Sequence, residues 1–236
     1  FRHVKKHIPS AFTMMNLLSG FSAIILADLR LSSYLLIMGM LFDVLDGLFA
    51  RLLKASSEIG KELDSLADII SFGLVPSFMI MRMFNVEMEF QITTIEGALL
   101  FILPLTITVY SAFRLAKFNI DEDQQTYFKG LPTPANTLLI ISLPLIIEFQ
   151  NNDAINTIIL NKWFLIGLTV LSCYLLNSGI KLFALKFKNF SFKDNATRYI
   201  FIILCVVLLI ILQFAAIPII ILLYILMSVL DNLTLK

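Results

Sequence analysis

Four aspartates lie close together in a short stretch of this 236-residue sequence. Asp43 and Asp46 are three residues apart and Asp64 and Asp68 are four apart, so on helices each pair shares one face. Four carboxylates that converge from two helices suit a hard divalent cation such as Mg²⁺ or Mn²⁺. The group contains no His or Cys, which argues against zinc.

The rest of the chain is strongly apolar, which makes this acidic group costly. Hydrophobic residues make up 58% and charged residues 15% of the sequence, and the mean hydropathy is +0.89. Because average soluble domains carry about 25% charged residues, the composition predicts a polytopic integral membrane protein. A charge within a membrane span costs roughly 2.5–3.5 kcal/mol, so the four anions need a compensating cation or partial protonation. The 18 basic and 17 acidic residues leave no basic excess for binding nucleic acid.

Apolar runs separated by short polar breaks predict an all-α bundle of about eight transmembrane helices, in a single membrane domain over residues 1–236. The runs lie at about 9–28, 33–55, 62–84, 95–118, 132–149, 162–186, 198–213 and 215–231, of which the last two could be one broken helix. If both termini are cytoplasmic, every Lys and Arg except Arg30, Arg82 and Lys162 falls on the cytoplasmic side, as the positive-inside rule requires. The four aspartates then lie near the cytoplasmic ends of the second and third helices.

Small residues share the helix faces of these aspartates. Gly47 and Ala50 follow the first pair at helical spacings, and Gly60 precedes Asp64 by four residues. Their lack of bulk would let a flat ligand approach closely, or it could serve helix packing within the membrane.

The aspartates and small residues together form a longer pattern. It reads D-x2-D-G-x2-A-R-x8-G-x3-D-x3-D and consists of Asp43, Asp46, Gly47, Ala50, Arg51, Gly60, Asp64 and Asp68. This pattern resembles the signature of the CDP-alcohol phosphatidyltransferase family at all eight positions. Four further segments are similar to the serine-using branch of that family and extend the resemblance over about residues 9–140: IPSAFTMMNLLSGF at the start, SFGLVPS at 71–77, RLAKFN at 114–119 and FKGLPTPAN at 128–136. Ser10 and Lys117 depart from it, where the family often has Asn and Arg.

The resemblance implies a reaction and its setting. The expected reaction is transfer of the phosphatidyl group from CDP-diacylglycerol to L-serine, giving phosphatidylserine and CMP. The resemblance implies a divalent metal cofactor, two ions of either Mg²⁺ or Mn²⁺. It also implies a homodimer. We expect an integral protein of a prokaryotic cytoplasmic membrane whose active site faces the cytoplasm. The motif core would cover about 9–140, with additional C-terminal helices at 162–231.

The resemblance also assigns roles to residues. The metal ligands would be Asp43, Asp46, Asp64 and Asp68, and Asp68 would be the general base or only a fourth ligand. The CDP-lipid would be bound by Thr13, Asn16, Asp43, Gly47, Ala50, Arg51 and Gly60. Thr13 could instead bond back to its own helix, and Arg51 could meet a phosphate or close a network between helices. Arg114 and Lys117 would hold either the serine carboxylate or the lipid phosphate.

Two alternative functions remain open from the sequence. The same chemistry could use another alcohol acceptor, such as inositol, glycerol 3-phosphate or an inositol phosphate. An ion-coupled transporter would also contain intramembrane acids. Against a transporter, the acids concentrate near one face, and no corresponding acids indicate an inverted repeat in the second half.

Overall fold

The structure is a computed structural model that describes residues 2–87, 94–120, 127–183 and 192–234. Its helices are α1 Arg2–Leu26, α2 Leu29–Leu52, α3 Glu58–Asp68, α4 Val75–Glu87, α5 Ile95–Ile120, α6 Thr133–Gln150, α7 Asp153–Ile159, α8 Lys162–Asn177, α9 Phe192–Leu212 and α10 Ala216–Thr234. Two short strands, β1 Tyr127–Lys129 and β2 Lys181–Phe183, pair antiparallel with Lys129 opposite Lys181.

Side-chain caps define where the two aspartate-bearing helices begin. Helix α2 follows Asp28, whose carboxylate accepts a hydrogen bond from the Leu31 N–H at 2.7 Å. Helix α3 follows Ser57, whose hydroxyl accepts from the Gly60 N–H at 3.0 Å. Each cap satisfies a backbone donor that the first helical turn leaves free. The caps therefore help to set the axial position of the aspartates on both helices.

A π-helical segment, Ile69–Leu74, joins α3 directly to α4. The whole stretch Glu58–Phe84 is 27 residues long and apolar enough to cross a membrane. Helix α1 packs closely on the π-helical segment, because a Cβ added at Gly20 would lie 2.6 Å from Ser71 Oγ. The Ser71 hydroxyl also donates to the Asn16 carbonyl oxygen at 3.0 Å. This hydrogen bond holds α1 against the π-helical segment, about one turn after Asp68.

The core joins α2, the π-helical segment, α5, α6 and α8 through fully buried apolar side chains, among them Leu36, Phe72, Ile107, Ile140 and Leu165. Helix α6 is mostly buried within the bundle, whereas most of the stretch Asn195–Leu233 is exposed. Helices α9 and α10 therefore expose most of their apolar surface, as expected for helices that face lipid.

Within the described ranges, five helices are long and apolar enough to cross a membrane, or six if the bent pair α7–α8 forms one span. The prediction of an all-α membrane bundle is confirmed. One of the five, Asn195–Leu233, contains both α9 and α10 and folds back on itself, since Thr197 Oγ1 donates to Asp231 Oδ1 at 3.2 Å. Eight crossings and two cytoplasmic termini stay predictions.

The predicted helix at 162–186 is too long at its C-terminal end. Helix α8 ends at Asn177, and the chain then turns into β2. The segment that leads into α6 stabilises this turn through two backbone hydrogen bonds. The Gly130 N–H donates to the Ile180 carbonyl oxygen at 3.0 Å, and the Leu131 N–H donates to the Leu175 carbonyl oxygen at 2.8 Å. Gly130 has a φ of +75°, and a Cβ there would lie 2.6 Å from the Leu176 carbonyl oxygen, so this approach requires glycine.

Candidate active site

Three of the four predicted aspartates converge. Asp43 on α2 and Asp64 and Asp68 on α3 each offer one carboxylate oxygen, and these three oxygens lie within 4.8 Å of one another. Asp64 Oδ1 is buried without a hydrogen-bond partner, which is costly unless a ligand satisfies it. A set of carboxylate oxygens alone is the donor set that Mg²⁺ and Mn²⁺ prefer. The residues present therefore fit a divalent cation.

Asp46 lies beside this group but outside it. Its Oδ2 accepts a hydrogen bond of 2.7 Å from Thr13 Oγ1 on α1. The same hydroxyl lies 3.2 Å from the Pro9 carbonyl oxygen of its own helix. One hydroxyl has one proton, and the shorter contact to a carboxylate is the stronger of the two. The bond back to its own helix, which the sequence left open for Thr13, is thus present as the longer contact. The contact to Asp46 was not predicted, and a contact from Thr13 to the CDP-lipid stays a prediction.

Asp68 is held from α1 as well. The side chain of Asn16 is fully buried, and its Nδ2 donates to Asp68 Oδ1 at 3.2 Å. Gly39 leaves room for this amide, because a Cβ there would lie 3.0 Å from Asn16 Oδ1. Asn16 therefore orients the carboxylate that the sequence proposes as general base.

The cluster is not neutralised by neighbouring cations. Among the side chains that the structure describes, no Lys or Arg nitrogen lies within 4.0 Å of any of the four carboxylates. Arg114 on α5 interacts with Asp68 electrostatically from a greater distance. Buried charges that lack a partner are strongly unfavourable, so the cluster requires positive charge from a ligand or protons.

A cavity of about 550 Å³ opens beside the cluster. Its wall contains six of the predicted residues: Thr13, Asp46, Gly47, Ala50, Gly60 and Asp64. A Cβ added at Gly47 would have its nearest neighbour at 4.0 Å, the end of Arg51, so this glycine faces open space rather than a tightly packed helix. The volume lies in the range of small-molecule sites.

Arg51 is exposed and does not form part of this cavity wall. Its Nε donates to the Gly47 carbonyl oxygen at 3.0 Å, one turn earlier on the same helix. This bond lies within α2 and does not link two helices. A phosphate contact for Arg51 stays a prediction.

The two predicted cations of α5 come together in a second, smaller pocket of about 180 Å³. Arg114 is only 8% exposed, and its Nε has no hydrogen-bond partner. Lys117 Nζ lies 3.4 Å from Asn177 Oδ1 at the end of α8. Lys129 on β1 also lines this pocket. The acidic cluster therefore has a large cavity against it and a separate basic pocket whose Arg114 interacts with Asp68.

Sequence reasoning missed polar residues at both cavities. Lys61 lines the larger one, and its Nζ donates to the Asn119 carbonyl at 3.0 Å, tying α3 to the end of α5. Ser10 and Ser57 line the same cavity, and Asn177 lines the smaller one. The available signal was weak: Ser57, Lys61 and Asn177 are polar residues at or near helix ends. Ser10 stood out only as a departure from the family pattern.

A helical membrane bundle with an acidic cluster beside a ligand-sized cavity and a basic pocket belongs to the class of membrane-integral enzymes. The family is equally clear. The family model described as CDP-alcohol phosphatidyltransferase matches residues 6–175, which is well over half of the chain. The protein belongs to this family, and the resemblance seen in residues 43–68 is confirmed.

Similar proteins come from widely separated organisms. The chain is 33% identical over 160 residues to a protein of Methanocaldococcus jannaschii, a match that covers 68% of each chain. It is 32% identical over 152 residues to one of Saccharomyces cerevisiae, covering 58% of this chain and 53% of the relative. It is 31% identical over 140 residues to one of Bacillus subtilis, covering 58% and 75%. Each relative is named CDP-diacylglycerol–serine O-phosphatidyltransferase. The match spans about half the length of the yeast protein.

Proposed function

We propose that the protein transfers the phosphatidyl group of CDP-diacylglycerol to the hydroxyl of L-serine, giving phosphatidylserine and CMP. The observation that carries the proposal is the convergence of Asp43, Asp64 and Asp68 beside a cavity lined by the family's signature residues. The shared name of relatives from an archaeon, a bacterium and a yeast supports serine as the acceptor.

The reaction exchanges one phosphorus–oxygen bond for another. The serine hydroxyl oxygen attacks the phosphorus that carries the diacylglycerol, and the bond from that phosphorus to the CMP oxygen breaks. CMP leaves with the electron pair of the broken bond. The hydroxyl proton passes to Asp68, which Asn16 holds in position, because a positioned carboxylate can accept a proton during attack.

The aspartates hold divalent metal in this proposal. Asp43, Asp46, Asp64 and Asp68 would bind two ions, either Mg²⁺ or Mn²⁺. Bound divalent cations neutralise pyrophosphate charge and stabilise the leaving phosphate. Thr13 and Asn16 steady two of the four carboxylates from α1, so these ligands are oriented by the protein itself.

The larger cavity takes the CMP portion of the lipid substrate. Gly47, Ala50 and Gly60 leave its wall free of bulk, and Lys61 adds a cation that suits a phosphate. Arg51 could reach the same phosphates from the exposed side of α2. The acyl chains would extend sideways into the bilayer. In the smaller pocket, Arg114 and Lys117 supply charge for either the serine carboxylate or the lipid phosphate.

The membrane setting completes the proposal. We place the protein in a prokaryotic cytoplasmic membrane with the aspartates toward the cytoplasm, and we expect a homodimer from the family resemblance. Light scattering on the detergent-purified protein tests the dimer, and cysteine labelling of introduced loop sites from either side of the membrane tests the orientation.

The direct test is purified protein with CDP-diacylglycerol and labelled L-serine, inositol or glycerol 3-phosphate. We expect serine to enter the lipid fraction with release of CMP, and a chelator to abolish the reaction until Mg²⁺ or Mn²⁺ is restored. Labelled glycerol 3-phosphate or inositol entering lipid while serine does not would overturn the acceptor. Full activity in the presence of the chelator would overturn the metal mechanism.

A further inference from the structure

Helix α10 holds one edge of strand β2. Tyr224, Ser228 and Asn232 are spaced four residues apart on α10, so their side chains follow one helix face. The Tyr224 hydroxyl donates to the Phe183 carbonyl oxygen at 2.7 Å, and the Phe183 N–H donates to Ser228 Oγ at 3.4 Å. Asn232 Nδ2 donates to the Lys181 carbonyl oxygen at 2.6 Å. We call Tyr224, Ser228 and Asn232 the α10 ladder.

The opposite edge of β2 is paired with β1. Leu182 lies opposite Phe128 in this pair, and the Gly130 N–H donates to the Ile180 carbonyl oxygen. Successive residues of a strand direct their backbone groups to opposite edges, so the residues on either side of Leu182 present theirs to α10. An open strand edge leaves such groups unpaired. The α10 ladder therefore takes the place of a third strand.

Aromatic packing adds to these hydrogen bonds. The ring centroid of Phe183 lies 5.0 Å from that of Tyr224 on α10 and 5.7 Å from that of Phe201 on α9, edge to face in both cases. Such edge-to-face pairs are favourable, and Phe183 is buried. Both α9 and α10 therefore hold β2, although most of their apolar surface is exposed.

Strand β2 in turn determines where one wall of the smaller pocket lies. Ser178 and Gly179 line this pocket, and β2 begins two residues after Gly179. Lys129 on β1 lines the same pocket and lies opposite Lys181 on β2. A displacement of β2 would therefore move these wall residues relative to Arg114 on α5.

We propose that the α10 ladder is a positioning element for the transfer reaction. It keeps the β1–β2 pair, and with it one wall of the smaller pocket, in place relative to Arg114. The ladder and β2 lie beyond residue 175, where the family match ends. The proposal rests on the proposed function for the reaction, but it does not depend on which anion Arg114 and Lys117 bind. The three ladder residues act through the pocket wall and are not catalytic.

The first test removes the hydrogen bonds of the ladder and keeps its bulk, with Tyr224→Phe, Ser228→Ala and Asn232→Leu combined in one variant. The KM for L-serine, the KM for CDP-diacylglycerol and the saturated rate are compared with those of Arg114→Ala. We expect the ladder variant to raise the KM of the same substrate as Arg114→Ala, by about three- to tenfold, as for a lost hydrogen bond. The saturated rate should change little. Leu226→Ala, exposed on the same helix, is the control and should change neither.

Combining the ladder variant with Arg114→Ala separates positioning from a general loss of stability. An element that acts through the pocket has nothing to position once the guanidinium is gone, so the combined variant should have the KM of Arg114→Ala alone. Independent sites would instead have effects on the KM that multiply.

A reporter cysteine measures the wall without any reaction. Ser178→Cys, in a chain that also carries Cys173→Ala and Cys205→Ala, places a thiol at a wall residue that is only 9% exposed. Removal of the ladder should speed alkylation of this thiol several-fold. A thiol introduced by Ser10→Cys in the larger cavity should react at an unchanged rate.

The outcomes separate this proposal from the proposed function. An unchanged alkylation rate at residue 178, or effects on the KM that multiply with those of Arg114→Ala, would overturn the positioning role and leave the function intact. A ladder variant that only unfolds at a lower temperature would also overturn it. If the wild type uses glycerol 3-phosphate or inositol and not serine, the proposed function fails. The ladder is then judged by the same comparison with that acceptor.

Discussion

The acidic cluster and the basic pocket differ in how far the protein satisfies their charges. In the cluster, Thr13 donates to Asp46 at 2.7 Å and Asn16 to Asp68 at 3.2 Å, both from α1. In the pocket, Arg114 Nε is buried with no partner. The protein thus orients its anions in advance, whereas the Nε of its buried Arg114 has no hydrogen-bond partner in the structure. Changes in the cluster should therefore alter turnover, and changes in the pocket should alter acceptor affinity.

Asp68→Asn should have the largest effect on the reaction. The amide keeps the shape of the carboxylate but cannot accept the serine proton, so turnover should fall by roughly 10²- to 10⁴-fold, while binding of CDP-diacylglycerol largely survives. Initial rates and lipid-binding titrations measure the two effects. Asp153→Asn, on the exposed start of α7, is the control. Turnover within a few-fold of wild type would mean that Asp68 is not the base.

Arg114→Ala should change affinity rather than turnover. If the buried guanidinium binds the serine carboxylate, its loss should raise the KM for serine by about tenfold or more, with a smaller change in the rate at saturation. Serine titrations at fixed CDP-diacylglycerol measure this. Arg82→Ala is the control, since Arg82 is exposed on α4. If Arg114→Ala lowers the saturated rate and leaves the serine KM unchanged, the contrast between the two regions fails.

Thr13→Val should have an intermediate effect, confined to the cluster. The substitution keeps the shape of the side chain and removes the 2.7 Å hydrogen bond to Asp46, so turnover should fall by several-fold and the metal concentration for half-maximal rate should rise. Thr157→Val is a matched control, because Thr157 bonds back to the Asp153 carbonyl at 2.8 Å on an exposed helix. Metal titrations that coincide for the two variants would show that Thr13 only stabilises α1.

The cluster could be predicted from sequence because its geometry is local. Residues three and four apart share a helix face, so the spacing of Asp43 to Asp46 and of Asp64 to Asp68 already defined two acidic faces. The position of α6 was also predicted closely, at 132–149 against Thr133–Gln150, since an apolar run that follows a Gly-Leu-Pro turn has clear limits.

The basic pocket could not be predicted in the same way, because its two walls meet only through distant contacts. Strands β1 and β2 are three residues each, too short for an alternating pattern, and their pairing joins segments about 50 residues apart. The apolar run at 162–186 therefore predicted a continuing helix. The π-helical segment was hidden for a similar reason, since IISFGL has the composition of an ordinary helix.

Gly20→Ala should have the smallest effect and separates the two regions most cleanly. The added methyl group would lie 2.6 Å from Ser71 Oγ, so α1 must shift against the π-helical segment, at a cost of about 1–3 kcal/mol of stability. Because α1 carries the donors of the cluster, turnover should also fall a few-fold, whereas the serine KM should stay constant. Thermal unfolding and serine titrations measure both.

Gly167→Ala, in which the added Cβ meets no atom within 4 Å, is the control. If the two alanine variants match in stability and rate, close packing of α1 does not hold the cluster. If Gly20→Ala raises the serine KM instead, the basic pocket also depends on α1, and the two regions are not independent.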